Sequence, residues 1–250
     1  MEKPIRLNKH LSSLGVGSRR NIDLFIEQGR ITVDGKFATL GMQILPSQTV
    51  ALDGRPLQNQ SPHEDDLRVL LYHKPSNTIC SRYDPEGRET VFESLPHLNA
   101  SRWVAIGRLD YKTTGLLVFT NNGDLAHKMM HPSTELEREY HVKVQGACST
   151  ETINKLMRGV LLDDGWAKAE NVQLLEAPQT QHTWLSVVLK EGRNREVRRL
   201  FDAVGKTVVK LSRVRYGILT LPEDLEIGSY YELDENEIKK LIESVNKKES

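Results

Sequence analysis

Apolar positions near the start of the chain recur at helical spacing. Leu7, Leu11 and Leu14 share one face, and Gly15 supplies a stop. Ser18 is placed to cap a second helix, SRRNIDLFIEQG, whose Ile22, Phe25 and Ile26 form a stripe before Gly29 ends it. The period then switches to two. RITVDGKFA and TVALDGRPL read as extended pairs turning at Asp34-Gly35 and Asp53-Gly54. Past a polar, aperiodic run, QNQSPHEDD, the strand pattern resumes with LRVLLYHKP. WVAIGRLD reads as a strand reaching a loop, and LLVFT as a strand leaving it. NGDLAHKMMHP is a short helix stopped before Pro132. In EREYHVKVQG, Tyr140, Val142 and Val144 alternate with His141, Lys143 and Gln145, a strand with one wet face. HTWLSVVL is another strand. EGRNREVRRLFDAVG puts Val197, Leu200, Phe201 and Val204 on one helical stripe closed by Gly205, with Arg195, Arg198 and Arg199 off it. KTVVKLSRVRYG returns as a strand, and plain alternation places Arg213 and Arg215 on the same face.

Strands of variable spacing mixed with short helices predict an α+β fold and not a regular βαβ repeat. The elements group into a small N-terminal domain over residues 1–57, a linker over 58–66 and a larger domain over 67–250. No internal repeat or low-complexity tract is visible.

Composition narrows the class. Hydrophobic content of 38% with 27% charged residues suits a soluble protein of 250 residues with a proper core. No apolar run approaches the roughly 20 residues of a membrane helix, and MEKPIRLNKH lacks the apolar centre of a secretory signal. Cys80 and Cys148 lie far apart in no metal-like spacing, so reduced thiols in a cytoplasmic protein are expected, with no metal. Zero net charge hides an uneven distribution. Residues 1–60 hold eight Lys/Arg against five Asp/Glu, giving +3; residues 190–215 hold nine against three, giving +6; residues 223–250 hold four lysines against nine acids, giving −5. Basic segments of this kind suit phosphate partners, although a charged run is more often a solvated face. Arg19 and Arg20 fall in the first turn of a helix, where the dipole disfavours cations but an anion is well seated.

Candidate chemistry is sparse. There is no glycine-rich phosphate loop with its lysine, no G-x-S-x-G elbow and no H-E-x-x-H. DPEGRET reads as a loop, His131 and Cys148 stand unaccompanied, and no second acid pairs with a first as in a glycosidase. What remains is Asp110 at a strand end, between Arg108 and Lys112. Neighbouring positive charge would keep that carboxylate ionised, fit to act as nucleophile or base. A turn residue in a structural salt bridge would have the same surroundings, and the residues alone leave both readings open.

GRLDYKTTGLLVFTNNG, EREY, LKEGRNREVRRL and RVRYG, in that order over residues 107–217, resemble the motifs of the RsuA/Rlu group of pseudouridine synthases. Residues 5–57 resemble the small αL RNA-binding domain named for ribosomal protein S-four. YHKPSNTICSRYDPEGRETVFESLP and EGRNREVRRLFDAVG are most similar to the B branch, which acts on large-subunit ribosomal RNA. The chain departs from many relatives at Glu196, where they have Gln, and at Thr114, where they have Ser. The resemblance implies a mainly antiparallel mixed sheet with flanking helices, and isomerisation of a uridine in ribosomal RNA, of 23S type, without cofactor; nothing in the sequence suggests an oligomer, so a monomer is expected. It implies Asp110 as the essential carboxylate, Arg198 as the arginine pairing with it, and Tyr140 as the aromatic that stacks on a flipped-out base. Arg6, Lys9, Arg19, Arg20, Arg108, Arg193, Arg195, Arg213 and Arg215 are the expected RNA contacts. The alternatives are a synthase for 16S RNA and a non-catalytic αL-domain protein of ribosome assembly.

Overall fold

The computed structural model describes residues 3–57, 67–98, 101–176 and 181–247. The expected linker, 58–66, lies outside these described residues. Contacts divide the chain into two compact units, one comprising 1–68 with 96–104 and 121–123, the other the remainder. The division expected at residue 67 did not anticipate the two short segments in the first unit. Side chains account for them: Arg102 Nη2 donates to Ser12 Oγ at 2.5 Å, and the Arg68 N–H donates to Asn121 Oδ1 at 2.9 Å.

The first unit is built from β1 (Ile5–Arg6), α1 (Leu7–Ser13), α2 (Arg19–Glu27), β2 (Ile31–Val33), β3 (Lys36–Phe37), β4 (Gln43–Ile44), β5 (Val50–Leu52) and β6 (Arg55–Pro56). Ser18 Oγ accepts the Asn21 N–H at 3.1 Å and caps α2, as the sequence predicts. Asp34-Gly35 and Asp53-Gly54 all have positive φ, the geometry of a tight hairpin turn, and they join β2 to β3 and β5 to β6. Leu7, Leu11, Ile22, Ile26 and Ile31 close the core of this unit.

The second unit holds β7 (Val69–Lys74), β8 (Val104–Ile106), β9 (Thr114–Thr120), α3 (Gly123–Met130), β10 (Arg138–Gln145), α4 (Thr150–Arg158), β11 (Val160–Leu162), β12 (Gly165–Ala167), β13 (Asn171–Leu174), β14 (His182–Leu189), α5 (Glu196–Ala203), β15 (Val208–Tyr216), β16 (Leu219–Thr220), β17 (Tyr230–Glu232) and α6 (Glu235–Asn246), except that the first residues of β8 and α3 fall in the first unit. A nine-stranded sheet runs β13-β14-β10-β15-β9-β7-β17, with β16 on β15 and β8 on β9. Along this path the pairings are antiparallel except β15 with β9, which is parallel, and β16 is antiparallel to β15. β7 and β9 lie inside the sheet, so nearly every position of Val69–Lys74 and Thr114–Thr120 is buried. β10 keeps the predicted alternation, with Arg138, Tyr140, Val142 and Val144 buried.

β15 departs from the predicted alternation. Glu139 faces Arg215 while Tyr140 faces Arg213, so Val214 is an extra, bulged residue. The bulge turns Arg213 and Tyr216 to the same face as Tyr140, and Arg215 to the opposite one with Glu139. Arg213 is 2% exposed, whereas Arg215 pairs with Glu139 at 2.9 Å and Glu137 at 3.2 Å. The two arginines therefore do not share a face.

Candidate active site

Asp110 sits on the loop from β8 to β9. Gly107 begins that loop with φ +77°, a conformation that side chains resist. The loop is then pinned from beneath. The Leu109 N–H donates to Cys80 Sγ at 3.4 Å, and the Thr113 N–H closes a turn on the Asp110 carbonyl at 2.9 Å. The Thr113 carbonyl in turn accepts Lys74 Nζ at 2.9 Å, and the same ammonium donates to the Pro75 carbonyl at 2.9 Å. Lys74 is fully buried at the end of β7. Burial pulls its pKa down, against the opposing influence of Cys80 and Asp110. This lysine went unnoticed in the sequence, where the only hint is a cation at the inward position of the apolar strand VLLYHK, just before Pro75.

The Asp110 carboxylate faces an arginine cluster at the start of α5. Arg195, the residue before that helix, has φ +49° and brings Nη1 to 3.8 Å from Asp110 Oδ2. Arg198, expected to pair directly with Asp110, instead donates from Nη1 to the Val208 carbonyl at 3.1 Å. The physical reason is its depth. Burial lowers the Arg198 pKa, Arg195 lowers it further, and Asp110 and Asp202 raise it. A half-buried guanidinium needs a firm acceptor, and the first carbonyl of β15 supplies one. Asp110 thus acts on Arg198 through its charge alone, and Arg195 is the arginine in ion-pair range.

A cavity of about 820 Å³ opens at this loop, and its lining includes Asp110, Tyr140, Arg138, Arg213 and Tyr216. Arg108, Arg193 and Arg195 also line it, whereas Arg198 and Arg215 do not. Tyr140 is 9% exposed. Arg138, two residues earlier on the same face, donates to the Leu136 and Lys190 carbonyls and to the Tyr216 hydroxyl. That hydroxyl donates to the Met129 carbonyl at 2.9 Å, and the Arg138 and Arg213 guanidiniums lie 4.9 and 5.0 Å from the centre of the Tyr216 ring. The loop opposite Asp110 is held by Glu196, whose Oε2 accepts the Arg193 N–H at 3.0 Å. Glu196 is 4% exposed, and burial pushes its pKa up, outweighing the hydrogen bond from the Arg193 backbone.

The other expected RNA contacts fall in different surroundings. Arg193 is bound by Glu191, Asp164 and the Trp166 carbonyl, and Arg199 by Asp163 and Asp164. With Arg215 held by Glu137 and Glu139, the excess of +6 counted over 190–215 is partly cancelled by acids from other strands and turns. Arg108 is exposed at the side of the cavity formed by the Asp110 loop. Arg6, Arg19 and Arg20 are exposed and Lys9 is half-buried on the first unit.

The family profile described as RNA pseudouridylate synthase matches residues 68–203, and that of the S4 domain matches residues 5–50. Among curated proteins, "Ribosomal large subunit pseudouridine synthase B" of Pseudomonas aeruginosa is 44% identical over 243 residues, 97% of this chain and 63% of that protein. The proteins of the same name from Yersinia pestis and Escherichia coli strain K12 are 48% and 46% identical, each over 95% of this chain and over 76% and 83% of their own lengths. The chain therefore spans somewhat less than two thirds of the Pseudomonas relative and more of the other two. Among solved structures, one described as a crystal structure of pseudouridylate synthase superposes with a TM-score of 0.64 at 27% identity, covering 95% of this chain and 99% of that one.

Proposed function

The chain belongs to the RNA pseudouridylate synthase family, and we propose that it isomerises a uridine of large-subunit ribosomal RNA to pseudouridine. The observation that carries this reading is the meeting of Asp110 and Tyr140 in one arginine-rich cavity, in a chain 44–48% identical to three relatives named for that activity. The reaction detaches the base from its sugar, turns it over and rejoins it through carbon. Its product is an isomer, so the site has to supply position, charge and proton transfer.

Asp110 is the group set against the ribose. Its backbone is fixed by Thr113 and, through Thr113, by buried Lys74, so the carboxylate is positioned without relying on a strong ion pair. A cavity of about 820 Å³ lies within the range of roughly 300–1,000 Å³ that holds a small ligand, and a single extruded nucleotide is of that class. Tyr140 presents an aromatic face to such a base, with its hydroxyl available for proton movement. Extrusion costs a few kcal/mol, which phosphate contacts of the αL domain and of exposed Arg108 and Arg195 offset. Arg198 adds positive charge to the site, within reach of the Asp110 charge, which raises the Arg198 pKa.

Mapping pseudouridines in ribosomal RNA from cells lacking this protein tests the proposal. One site missing from 23S RNA, restored by the intact chain and not by Asp110→Asn, is expected. A site missing from 16S RNA would move the substrate to the small subunit, and an unaltered map would sink the assignment.

A further inference from the structure

Cations are plentiful at the cavity, but most are already committed. Lys74 is spent on two carbonyls, Arg138 on two carbonyls and a phenol, Arg193 on carboxylates, and Arg195 faces Asp110. Arg213 differs. It is 2% exposed, its Nε donates to the Leu116 carbonyl at 2.8 Å, and its Nη2 is sealed from solvent with no acceptor among the described residues. Nη1 lies 3.9 Å from the point a Cβ on Gly107 would occupy, so the lack of a side chain there leaves that edge open towards the loop carrying Asp110. Its backbone is equally constrained. Arg213 is paired with Tyr140 on one side and with Gly115 on the other, and paired residues present their side chains to the same face. Holding a guanidinium in a low-dielectric site with one donor unmatched is costly, and because Arg213 also lines the cavity, a ligand there is placed to answer its charge.

We propose that Arg213 is a further catalytic residue, whose guanidinium donates to a uracil carbonyl oxygen and stabilises the negative charge the base acquires when it leaves the sugar. The inference rests on the reading of the cavity as a uridine site. When the N1–C1′ bond breaks, its electron pair departs with the base, and the charge spreads over N1, O2 and O4. The sugar is balanced at Asp110, either by a new bond from its carboxylate to C1′ or by transfer of the C2′ proton to it. In both cases the base is an anion until C5 bonds to C1′, as the Asp110–C1′ bond breaks or the carboxyl returns its proton to C2′; the C5 proton is then lost and N1 takes one up, which leaves an isomer. A fixed cation beside Tyr140 meets that charge where it develops and needs no reorganisation. A phosphate is the poorer occupant, because it stays hydrated at the surface, where Arg108 and Arg195 are exposed and Arg213 is not.

Single-turnover cleavage is compared for wild type, Arg213→Lys and Arg213→Met on RNA carrying uridine or 5-fluorouridine at the target, with RNA affinity and melting measured alongside. For uridine, Arg213→Met loses about 10²–10³ in rate with affinity nearly unchanged, and Arg213→Lys recovers part of it. Fluorine carries part of the charge on the leaving base, so the loss shrinks by at least about tenfold on 5-fluorouridine, the scale of one hydrogen bond. Equal losses on both RNAs, or a loss confined to affinity, overturn the proposal, the latter in favour of a phosphate contact. Should the variants fail to fold, wild type on 2-thiouridine and 4-thiouridine RNA decides. Sulfur accepts hydrogen bonds poorly, so one of the two slows by about tenfold at unchanged affinity, and turnover of both at the uridine rate overturns the role. Wild type that leaves uridine untouched removes the uridine reading itself, and this role with it.

Discussion

Gly115→Ala tests the close approach of β9 and β15 on which the cavity wall depends. A Cβ at Gly115 would stand 2.2 Å from the Arg213 carbonyl oxygen, 2.6 Å from Ser212 Oγ and 2.7 Å from the Arg213 nitrogen. Two of those three atoms are backbone of the neighbouring strand, so no rotamer change relieves the clash. Gly115 also has φ +98°, which an alanine resists at a cost of about 1–3 kcal/mol. Forcing a methyl group into packed backbone adds about 1–3 kcal/mol more. The central expectation is a loss of about 4 kcal/mol, or a fall in melting temperature of about 8–16 °C at this chain length. Gly205→Ala is the control. It has φ +72° but open space around it, so it carries the conformational cost alone, about 1–2 kcal/mol. Melting and urea unfolding of the two variants separate the steric part. Because the clash falls on Arg213, pseudouridine formation by Gly115→Ala should drop more than the stability loss explains at a temperature where the protein remains folded. Equal melting temperatures for the two variants would refute the close approach.

Asp110→Asn should abolish pseudouridine formation, read by base mapping of treated RNA, while melting stays close to wild type. Its ion pair with Arg195 is 3.8 Å long and well exposed, worth roughly 0–1 kcal/mol at most, so a collapse in stability would contradict the positioning argued from Thr113 and Lys74. Glu196 has a raised pKa, so the fold favours its protonated form. Stability is then full below the unfolded-state value of roughly 4.3 and declines as pH rises through the folded one. Glu196→Gln should remove that decline, and urea unfolding at pH 4 and pH 7 should show the variant gaining on wild type only at the higher pH; a difference independent of pH would rule this out. Arg19→Ala with Arg20→Ala should flatten the salt dependence of RNA affinity by about 1.4–1.8 in log–log slope if each meets one phosphate. An unchanged slope would leave the start of α2 without a phosphate role.

What the sequence made legible was local. Ser18 before an apolar stripe, Asp-Gly pairs between alternating runs, and Gly205 after Val204 each declare an element through chemistry confined to a few residues, and those elements are present. The sheet order was not legible, because β9 sits between β7 and β15, and its parallel pairing joins Thr114 to Ser212 across most of the second unit. The site divides in the same way. Asp110 and Tyr140 could be singled out by motif and are found in one cavity. Lys74 could not, because its meaning lies in two carbonyl partners, one of them thirty-nine residues away.

Arg213 shows why charge counting along a chain reads a site imperfectly. By alternation it belongs with Arg215, and both then look like surface contacts for phosphate. One inserted residue, Val214, reverses that. It sends Arg215 to Glu137 and Glu139, where its charge is answered, and turns Arg213 inward beside Tyr140, where its Nη2 has no acceptor among the described residues. A bulge costs a ladder hydrogen bond and is kept where it re-aims a side chain. Here it re-aims the one buried arginine that, among the described residues lining the cavity, retains an unmatched sealed donor. Deleting Val214 would remove the bulge and its bend and leave Arg213 opposite Tyr140 and Arg215 opposite Glu139 in a regular ladder, so the two arginines keep their faces while the aim of Arg213 changes. The loss of activity would then arise from moving a cation, with every charged residue of the chain still present.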